Sequence, residues 1–493
     1  MDCKLLRLSA HLISASIVYI LNKSLATGEL AEDWKLARVT PVFKGKGSKL
    51  DESNYRPISV LPVIAMLFEK EILKQMMSYF IDNQLITIDQ FAFLKHHSTI
   101  TCLHRIIDEW LDCLNNGEYV MSCFFDIKKC FDTIDHKILL KKLSLYGISG
   151  REHNWFVNYL SSRKQFVRAN NKASNVLNIN TGVPQGSSLG PFLFLVFIND
   201  MPQHIKQSLC NLFADDNLVY TSSKSFIETK SKLQNSVTEA NEWYKNNRVA
   251  VNTDKTLSMI TASTPKLNAL VEHTLSIDIK LDDTALSQVS ESPYLGLCIQ
   301  NNLKWDSQIQ KICRSVSHKL FLLSKLRKFM NKELLNKIFL THIRPCMEYG
   351  ISVWGHCSES NKVKLRRLQH RAARIITRNF DFVNVRGHDL VKQLGWQTLE
   401  QRRDYYIASL MHKCIHGNAP IHLLNEIVMT SHTHELATRS VSNLNYQIPE
   451  PHLEIFKQSF RFQGATLWNN LPLDLRNIND INEFKFYYKR LHF

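Results

Sequence analysis

The sequence predicts an α+β fold, and three stretches carry that prediction. The segment 212–220 runs apolar into two adjacent carboxylates, Asp215 and Asp216, and resumes apolar behind them, the pattern of a β-hairpin with acids at its tip. The segment 119–127, YVMSCFFDI, is an unbroken apolar and β-prone run that reads as a buried strand, with Asp126 near its end. From Lys304 onward the pattern turns helical and basic.

The two hairpin acids set the first chemical question. Like charges a few ångströms apart and partly desolvated raise each other's pKa, and a bound divalent cation removes that cost. Successive side chains of a straight strand diverge, so both acids can meet one ion only if they occupy the turn. Taken alone, an Asp-Asp turn is ordinary solvated turn chemistry, because Asp favours turns. Asp126 at the end of a second core strand changes the balance, since a carboxylate there does nothing for solubility.

The bulk properties bound the partners. At 493 residues the chain exceeds one ordinary core and divides into two or three structural units. The 61 Lys+Arg outweigh 45 Asp+Glu by a formal +16, which favours a polyanion such as nucleic acid. Between Lys304 and Arg378 there are seventeen Lys/Arg against four Asp/Glu, so most of the surplus sits in one segment. Eleven scattered cysteines without a C-x-x-C pattern signal neither a disulfide framework nor a zinc finger, and fit a reducing intracellular setting, cytoplasm or nucleus. The grouping His342, Cys346, His356 and Cys357 matches no familiar ligand spacing. The run 4–21 is interrupted by His11, Ser14 and Ser16, too short to span a bilayer, and reads as an amphipathic helix carrying Leu5, Leu8, Leu12, Ser16 and Tyr19; no membrane partner is expected.

Taken in order, 37–47 is a β-prone run ending in the glycine-spaced Lys44 and Lys46, which suits a hairpin tip. Arg56 precedes Pro57 and is held extended. Helical spacing of Ile64, Leu67, Phe68, Ile72, Met76 and Tyr79 predicts a helix over 63–81. A polar, basic loop over 90–99 ends in an N-cap for a helix over 100–115. Asp132 and Asp135 belong to a turn and cap the helix that follows over 136–146. The stretch 181–191, TGVPQGSSLGP, is a Gly/Pro/Ser loop feeding an apolar helix over 192–199; its glycines let backbone approach a flat ligand closely, with Gln185 and the serines as hydrogen-bonding groups. Behind the hairpin, Ile227, Leu233, Val237, Ala240 and Tyr244 mark a helix that packs under a sheet, followed by a loop, VNTDK, carrying Lys255.

Three carboxylates on adjacent strands are what two-metal phosphoryl transfer needs, with two Mg²⁺ about 3.5–4 Å apart. Mg²⁺ takes few carboxylates plus substrate phosphates, so three acids suffice. With this constellation the chain resembles the reverse transcriptases of non-LTR (LINE-type) retrotransposons, of the jockey and CR1-like lineages. FFDIKKCFDTIDH is similar to the first palm motif of that family, TGVPQGSSLGP with FINDM to the second, FADD to the third and VNTDK to the fourth. YLG is similar to the primer grip, ARVTPVFKGKG and NYRPIS to the fingers motifs, and IRPCMEYGISVWG with LRRLQHRAARIITR to the thumb and adjoining region. Departures are Ala92 within the QFAF fingers motif and Leu94 just after it, where a basic residue is usual, and Lys128 and Cys130 in the first palm motif.

The resemblance implies a right-hand polymerase: fingers over 1–95, a reverse transcriptase domain over 24–299, a basic helical thumb over 300–380, and a C-terminal α-rich region over 381–493 without an assigned role. It makes Asp126, Asp215 and Asp216 ligands of Mg²⁺ (two ions, Mn²⁺ as a substitute), and Lys255 a general acid near the leaving pyrophosphate. Phe131 becomes a steric gate against a ribose 2′-hydroxyl. Lys44, Arg56, Gln185 and Gly186 would bind nucleotide or template, and Tyr294, Leu295 and Gly296 the primer. Arg366, Arg367, Arg371, Arg374 and Arg378, three to four residues apart, would face nucleic acid. RNA template, DNA primer and dNTPs are the implied partners, with neither an upstream endonuclease nor a downstream zinc knuckle expected. Two alternatives stay open: an inactive, RNA-binding remnant of a truncated retroelement, and an RNA-dependent RNA polymerase, against which Phe131 speaks.

Overall fold

The structure of the protein, a computed structural model, describes residues 3–169, 171–272, 276, 278–430 and 445–492. Its fourteen described strands are β1 Leu36–Phe43, β2 Tyr55–Val60, β3 Tyr119–Asp126, β4 Arg163–Ala169, β5 Lys172–Ala173, β6 Leu177–Ile179, β7 Leu209–Phe213, β8 Asp216–Ser223, β9 Leu257–Thr261, β10 Lys280–Leu281, β11 Thr284–Ala285, β12 Ser287–Val289, β13 Glu291–Tyr294 and β14 Leu297–Gln300. The central sheet runs β12-β9-β3-β8-β7. It is antiparallel apart from its β12 edge, which pairs parallel with β9.

The unbroken apolar character of β3 has a simple cause, since both faces of the sheet are covered. Met121, Cys123 and Phe125 point into one core, formed with helices Val63–Asp82, Gly190–Ile198 and Phe226–Asn246. Val120 and Phe124 point into a second core with helix Thr99–Asn115 and the helical segment after 305. By the alternation of the pleat, Asp126 falls on this second face. Helix Phe226–Asn246 packs under the sheet through Leu233, Val237, Ala240 and Tyr244 as expected, whereas Ile227 is exposed. In helix Val63–Asp82 the buried face is Phe68, Ile72 and Met76 together with Ala65, Glu69 and Phe80; Leu67 and Tyr79, expected on that face, are exposed.

A second sheet, β2-β1-β4 with β5 and β6 on β4, joins the N-terminal hairpin to strands that follow β3 in sequence, and β1 runs parallel to β4. The expected hairpin tip is present between β1 and β2, where Gly45 and Gly47 take left-handed φ values of 80° and 79°. The first helix expected over 4–21 is instead two, Cys3–Leu8 and Ala10–Thr27. Apart from the buried Leu6, only the last turns pack, through Leu21 and Leu25, and most of the apolar face is uncovered, with Leu12 73% exposed. No described helix is long and apolar enough to cross a membrane.

The loop over 90–99 corrects the expectation of a polar surface segment. Gln90, Phe91 and Ala92 are buried, and the Phe91 amide donates to the Leu212 carbonyl at 2.9 Å, so this loop backs strand β7. Ser98 then caps helix Thr99–Asn115 through a reciprocal capping box with Thr101.

The basic segment is helical as expected: Asp306–Leu326, Lys332–Ile338, Arg344–Glu348, Ile351–Trp354 and Glu359–Thr377, with one π turn at Phe339–Ile343. The region after 381, of which 431–444 and 493 lie outside the described residues, builds a third core from helices Leu399–Ile415, Phe460–Asn469 and Ile481–His492. It docks on helix Thr99–Asn115. The buried Asp108 carboxylate accepts from the Phe460 amide at 2.8 Å and the Arg461 amide at 3.1 Å, capping helix Phe460–Asn469. Asn115 Oδ1 accepts from the amides of His452 and Leu453, both at 2.8 Å.

Candidate active site

Strands β7 and β8 form the expected hairpin, with Phe213 paired to Asp216 and only Ala214 and Asp215 in the turn. Ala214 takes a left-handed φ of 53° to close it. Asp216 therefore opens strand β8 rather than sharing the turn, and its register partner across the sheet is Asp126, the last residue of β3. Directly opposed residues on one face have Cβ atoms roughly 5 Å apart, so sheet register alone brings these two carboxylates together while the turn presents the third.

The cost of this arrangement falls on Asp216. The residue is exposed, yet desolvation by the surrounding protein, then Asp215 and Asp126, push its carboxyl up to about 6. A cluster of oxygen donors short of positive charge is what a hard divalent cation fits. Among the described residues no three Asp, Glu, His or Cys side chains stand close enough to hold an ion as they are. Asp126 is held from behind: Asn252 Nδ2 donates to its Oδ2 at 3.0 Å, and its carbonyl accepts from the Asn252 amide at 2.8 Å. This ties the VNTDK loop to the end of β3 and carries Lys255, exposed, in the same turn, where its amide donates to the Asn252 carbonyl at 3.1 Å.

The Gly-rich loop threads between the two sheets. Its Val183 amide donates to the Phe131 carbonyl and its Gly182 amide to the Ile134 carbonyl, both at 2.8 Å. On the other side the Ser59 amide of β2 donates to the Gln185 carbonyl at 2.6 Å. Gly186 is forced by this crossing: its φ is 116°, and a Cβ there would lie 2.6 Å from the Ser59 carbonyl oxygen. The Phe131 ring stacks on Phe194 at 5.0 Å, which fixes its orientation. Arg56 is exposed on β2 opposite Val42, and Lys44, at the hairpin tip, donates to the Ser53 carbonyl at 2.8 Å.

Asp135 caps helix His136–Leu145 as expected, but Asp132 does not. It accepts from Gln185 Nε2 at 2.9 Å, and burial holds its carboxyl above the ordinary range. Glu69 is a further residue of the site that no sequence motif marks. This buried carboxylate accepts from the Ser188 amide at 2.7 Å and the Tyr159 hydroxyl at 2.8 Å, anchoring the Gly-rich loop to helix Val63–Asp82. Its helical spacing beside Phe68 and Ile72 is the signal that could have marked it as buried.

The remaining candidate residues divide. Tyr294 and Leu295 are only 4% and 8% exposed, and Tyr294 packs on Phe124 at 5.7 Å, so these side chains face the core rather than a ligand. What reaches the surface of that β13–β14 turn is Gly296, left-handed at 84°. The Tyr349 hydroxyl donates to the Leu295 carbonyl at 2.7 Å and holds the turn in place.

The arginine stripe is not one face. Arg374 is 8% exposed and donates to the carbonyls of Asp381 at 2.9 Å and Val385 at 2.7 Å, pinning the chain after its helix. Arg378 donates to the carbonyls of Arg327 and Met330, both at 3.0 Å, and Arg366 pairs with Glu400 at 2.9 Å and Glu359 at 3.1 Å. Arg367 and Arg371 are the exposed members of the stripe with neither an ion pair nor a side-chain hydrogen bond among the described residues.

Residues 44–299 match the family described as reverse transcriptase (RNA-dependent DNA polymerase). The chain is 29% identical over 397 residues to the RNA-directed DNA polymerase from mobile element jockey of Drosophila melanogaster, covering 76% of this chain and 41% of that protein. It is likewise 29% identical over 387 residues to the jockey polymerase of Drosophila funebris, covering 76% and 41%. The chain thus spans about two-fifths of the length of these relatives. Among solved structures, apo telomerase from Candida Tropicalis superposes with a TM-score of 0.40 at 12% identity, covering 78% of this chain and 66% of that one.

Proposed function

Because the chain belongs to the reverse transcriptase family, we propose that it is an RNA-directed DNA polymerase, adding dNTPs to a primer 3′-hydroxyl on an RNA template. The observation that carries this reading is the cross-strand pairing of Asp126 with Asp216 beside Asp215 in the adjoining turn, with Asp216 raised by burial and then by these two carboxylates. These three carboxylates would hold two Mg²⁺, or Mn²⁺ in its place. When bound, the ions supply the Lewis-acid charge that favours attack by the 3′-oxygen and offsets charge on the triphosphate.

The chain's own residues do the rest. The β1–β2 sheet supplies fingers whose Lys44 and Arg56 contact the triphosphate or template. The loop at Gln185 and Gly186 lies against the incoming nucleotide, and Phe131, braced by Phe194, meets the sugar where a 2′-hydroxyl would project. The 3′-oxygen forms a bond to the α-phosphorus as the bond to the pyrophosphate oxygen breaks. The hydroxyl proton leaves to water, and Lys255 delivers a proton to the departing pyrophosphate. The helical segment 300–380 acts as thumb, with Arg367 and Arg371 toward nucleic acid.

Primer extension on an RNA template tests this directly. The wild-type chain extends with dNTPs and not with rNTPs, and Asp215→Ala abolishes extension. Synthesis by Asp215→Ala at the wild-type rate would overturn the assignment.

A further inference from the structure

A cleft of about 670 Å³ lies away from the three aspartates, where three parts of the chain meet. One wall is the start of helix Thr99–Asn115, a second is the segment around Arg344 and Tyr349, and the third comes from helices Leu399–Ile415 and Ile481–His492. Four cations line it, Arg344, Arg402, Lys413 and Lys485, against the single carboxylate of Glu348. That carboxylate is already taken. Arg402 grips both its oxygens at 2.9 and 2.8 Å, Arg344 approaches at 3.3 Å, and the Tyr406 hydroxyl donates at 3.0 Å. Lys413 and Lys485, on different helices, have no ion pair among the described residues. Burial and then the charges of Lys413 and Lys489 hold the Lys485 ammonium below its ordinary range. Crowded, unneutralised cations in a concave wall are an electrostatic footprint for a polyanion. The cleft also borders the β13–β14 turn, since Tyr349, which lines it, donates to the Leu295 carbonyl at 2.7 Å.

We infer that this cleft receives the sugar-phosphate backbone of the primer–template duplex just behind the active site, so that the region after 381 forms part of the nucleic-acid grip. The inference rests on the polymerase reading for the identity of the strand: what lies next to a primer-side turn is product already paired to template.

The test is binding of a labelled DNA primer annealed to RNA, and separately of single-stranded RNA, by fluorescence anisotropy across a salt series. It compares wild type, Lys413→Glu/Lys485→Glu and the conservative Lys413→Arg/Lys485→Arg. The charge-reversed protein should bind the duplex at least about tenfold more weakly, with a log–log salt slope shallower by about 2, close to one unit for each phosphate that a lysine no longer neutralises. The arginine variant should match wild type, which separates lost charge from lost fold. Duplex affinity and slope unchanged by charge reversal would overturn the inference, as would a loss confined to single-stranded RNA. Extension at saturating duplex is read in parallel. A wild-type protein that extends no primer while charge reversal still weakens duplex binding removes the polymerase reading and leaves the cleft. A protein that extends primers with unchanged binding does the reverse.

Discussion

Gly186→Ala tests the crossing of the Gly-rich loop over the first sheet. Two costs add. A backbone φ of 116° lies where essentially only glycine is at ease, about 1–3 kcal/mol for any other residue. The new methyl would meet the Ser59 carbonyl oxygen at 2.6 Å, a backbone atom that cannot swing aside. Relief requires β2 and the loop to part, which breaks the hydrogen bond from the Ser59 amide to the Gln185 carbonyl, worth about 1 kcal/mol net. Together these give about 2–4 kcal/mol, enough to lower the melting temperature by several degrees. Gln185 then loses its place against Asp132, and a shift of this order costs roughly a hundredfold in kcat/KM for the incoming dNTP. Gly45→Ala separates the two costs. Its φ is 80° but nothing lies within 4 Å of the added Cβ, so only backbone strain remains, about 1–2 kcal/mol, and the nucleotide KM stays at the wild-type value. Thermal melting with steady-state primer extension reads both. Equal effects of the two substitutions, or a Gly186→Ala protein indistinguishable from wild type, would refute the reasoning.

Two further outcomes follow from side-chain environment. Arg374→Ala should lower stability by about 2–4 kcal/mol in chemical denaturation, because a nearly buried guanidinium satisfies several backbone carbonyls, whereas Arg367→Ala should leave stability within about 0.5 kcal/mol and weaken nucleic-acid binding instead. The docking of the C-terminal region should weaken with rising pH. Glu426 is pushed up by burial and then by Asp108, with Glu109 adding to the rise and Arg461 and Arg105 opposing it, and burial raises Asp108 as well. A carboxyl whose folded pKa lies above its ordinary 4.5 holds a proton that unfolding releases. Its contribution is therefore complete at low pH and is lost as pH climbs above the ordinary carboxylate range, by up to about 1.4 kcal/mol per pH unit. Denaturant midpoints at pH 6 and pH 8 should fall in that order for wild type, and Glu426→Gln should flatten the difference.

Much of the site was legible because its chemistry is written locally. Asp126 at the end of an apolar run and Asp215-Asp216 between two others need no knowledge of distant partners, only of how strands and turns distribute carboxylates. Helical spacing was less informative about the arginine stripe. Intervals of three and four residues fix relative azimuth around a helix axis, but not what stands opposite, so Arg374 and Arg367 look alike in sequence and differ in burial. Tyr294 and Leu295 were recognisable as a motif, yet their side chains serve the core, and the surface they were expected to provide comes from Gly296 and a backbone turn. Asp132, Glu69 and Tyr349 were not legible as site residues, because each acts on a partner 50 or more residues away, through a hydrogen bond that no local pattern encodes.

Helix Thr99–Asn115 carries a consequence for how the molecule comes into being. Asp108 and Asn115 find their donor partners at His452, Leu453, Phe460 and Arg461, some 340 residues later in the chain. On the ribosome, synthesis proceeds from the N-terminus, so the strands bearing all three aspartates can assemble while this helix still lacks the amides that satisfy its carboxylate and amide oxygens. Closure waits for the segment 452–461, and a nascent product stopped before it carries an open polar seam on the helix that covers the Asp126 face of the central sheet. Maturation of this part of the fold is thereby tied to synthesis reaching Arg461.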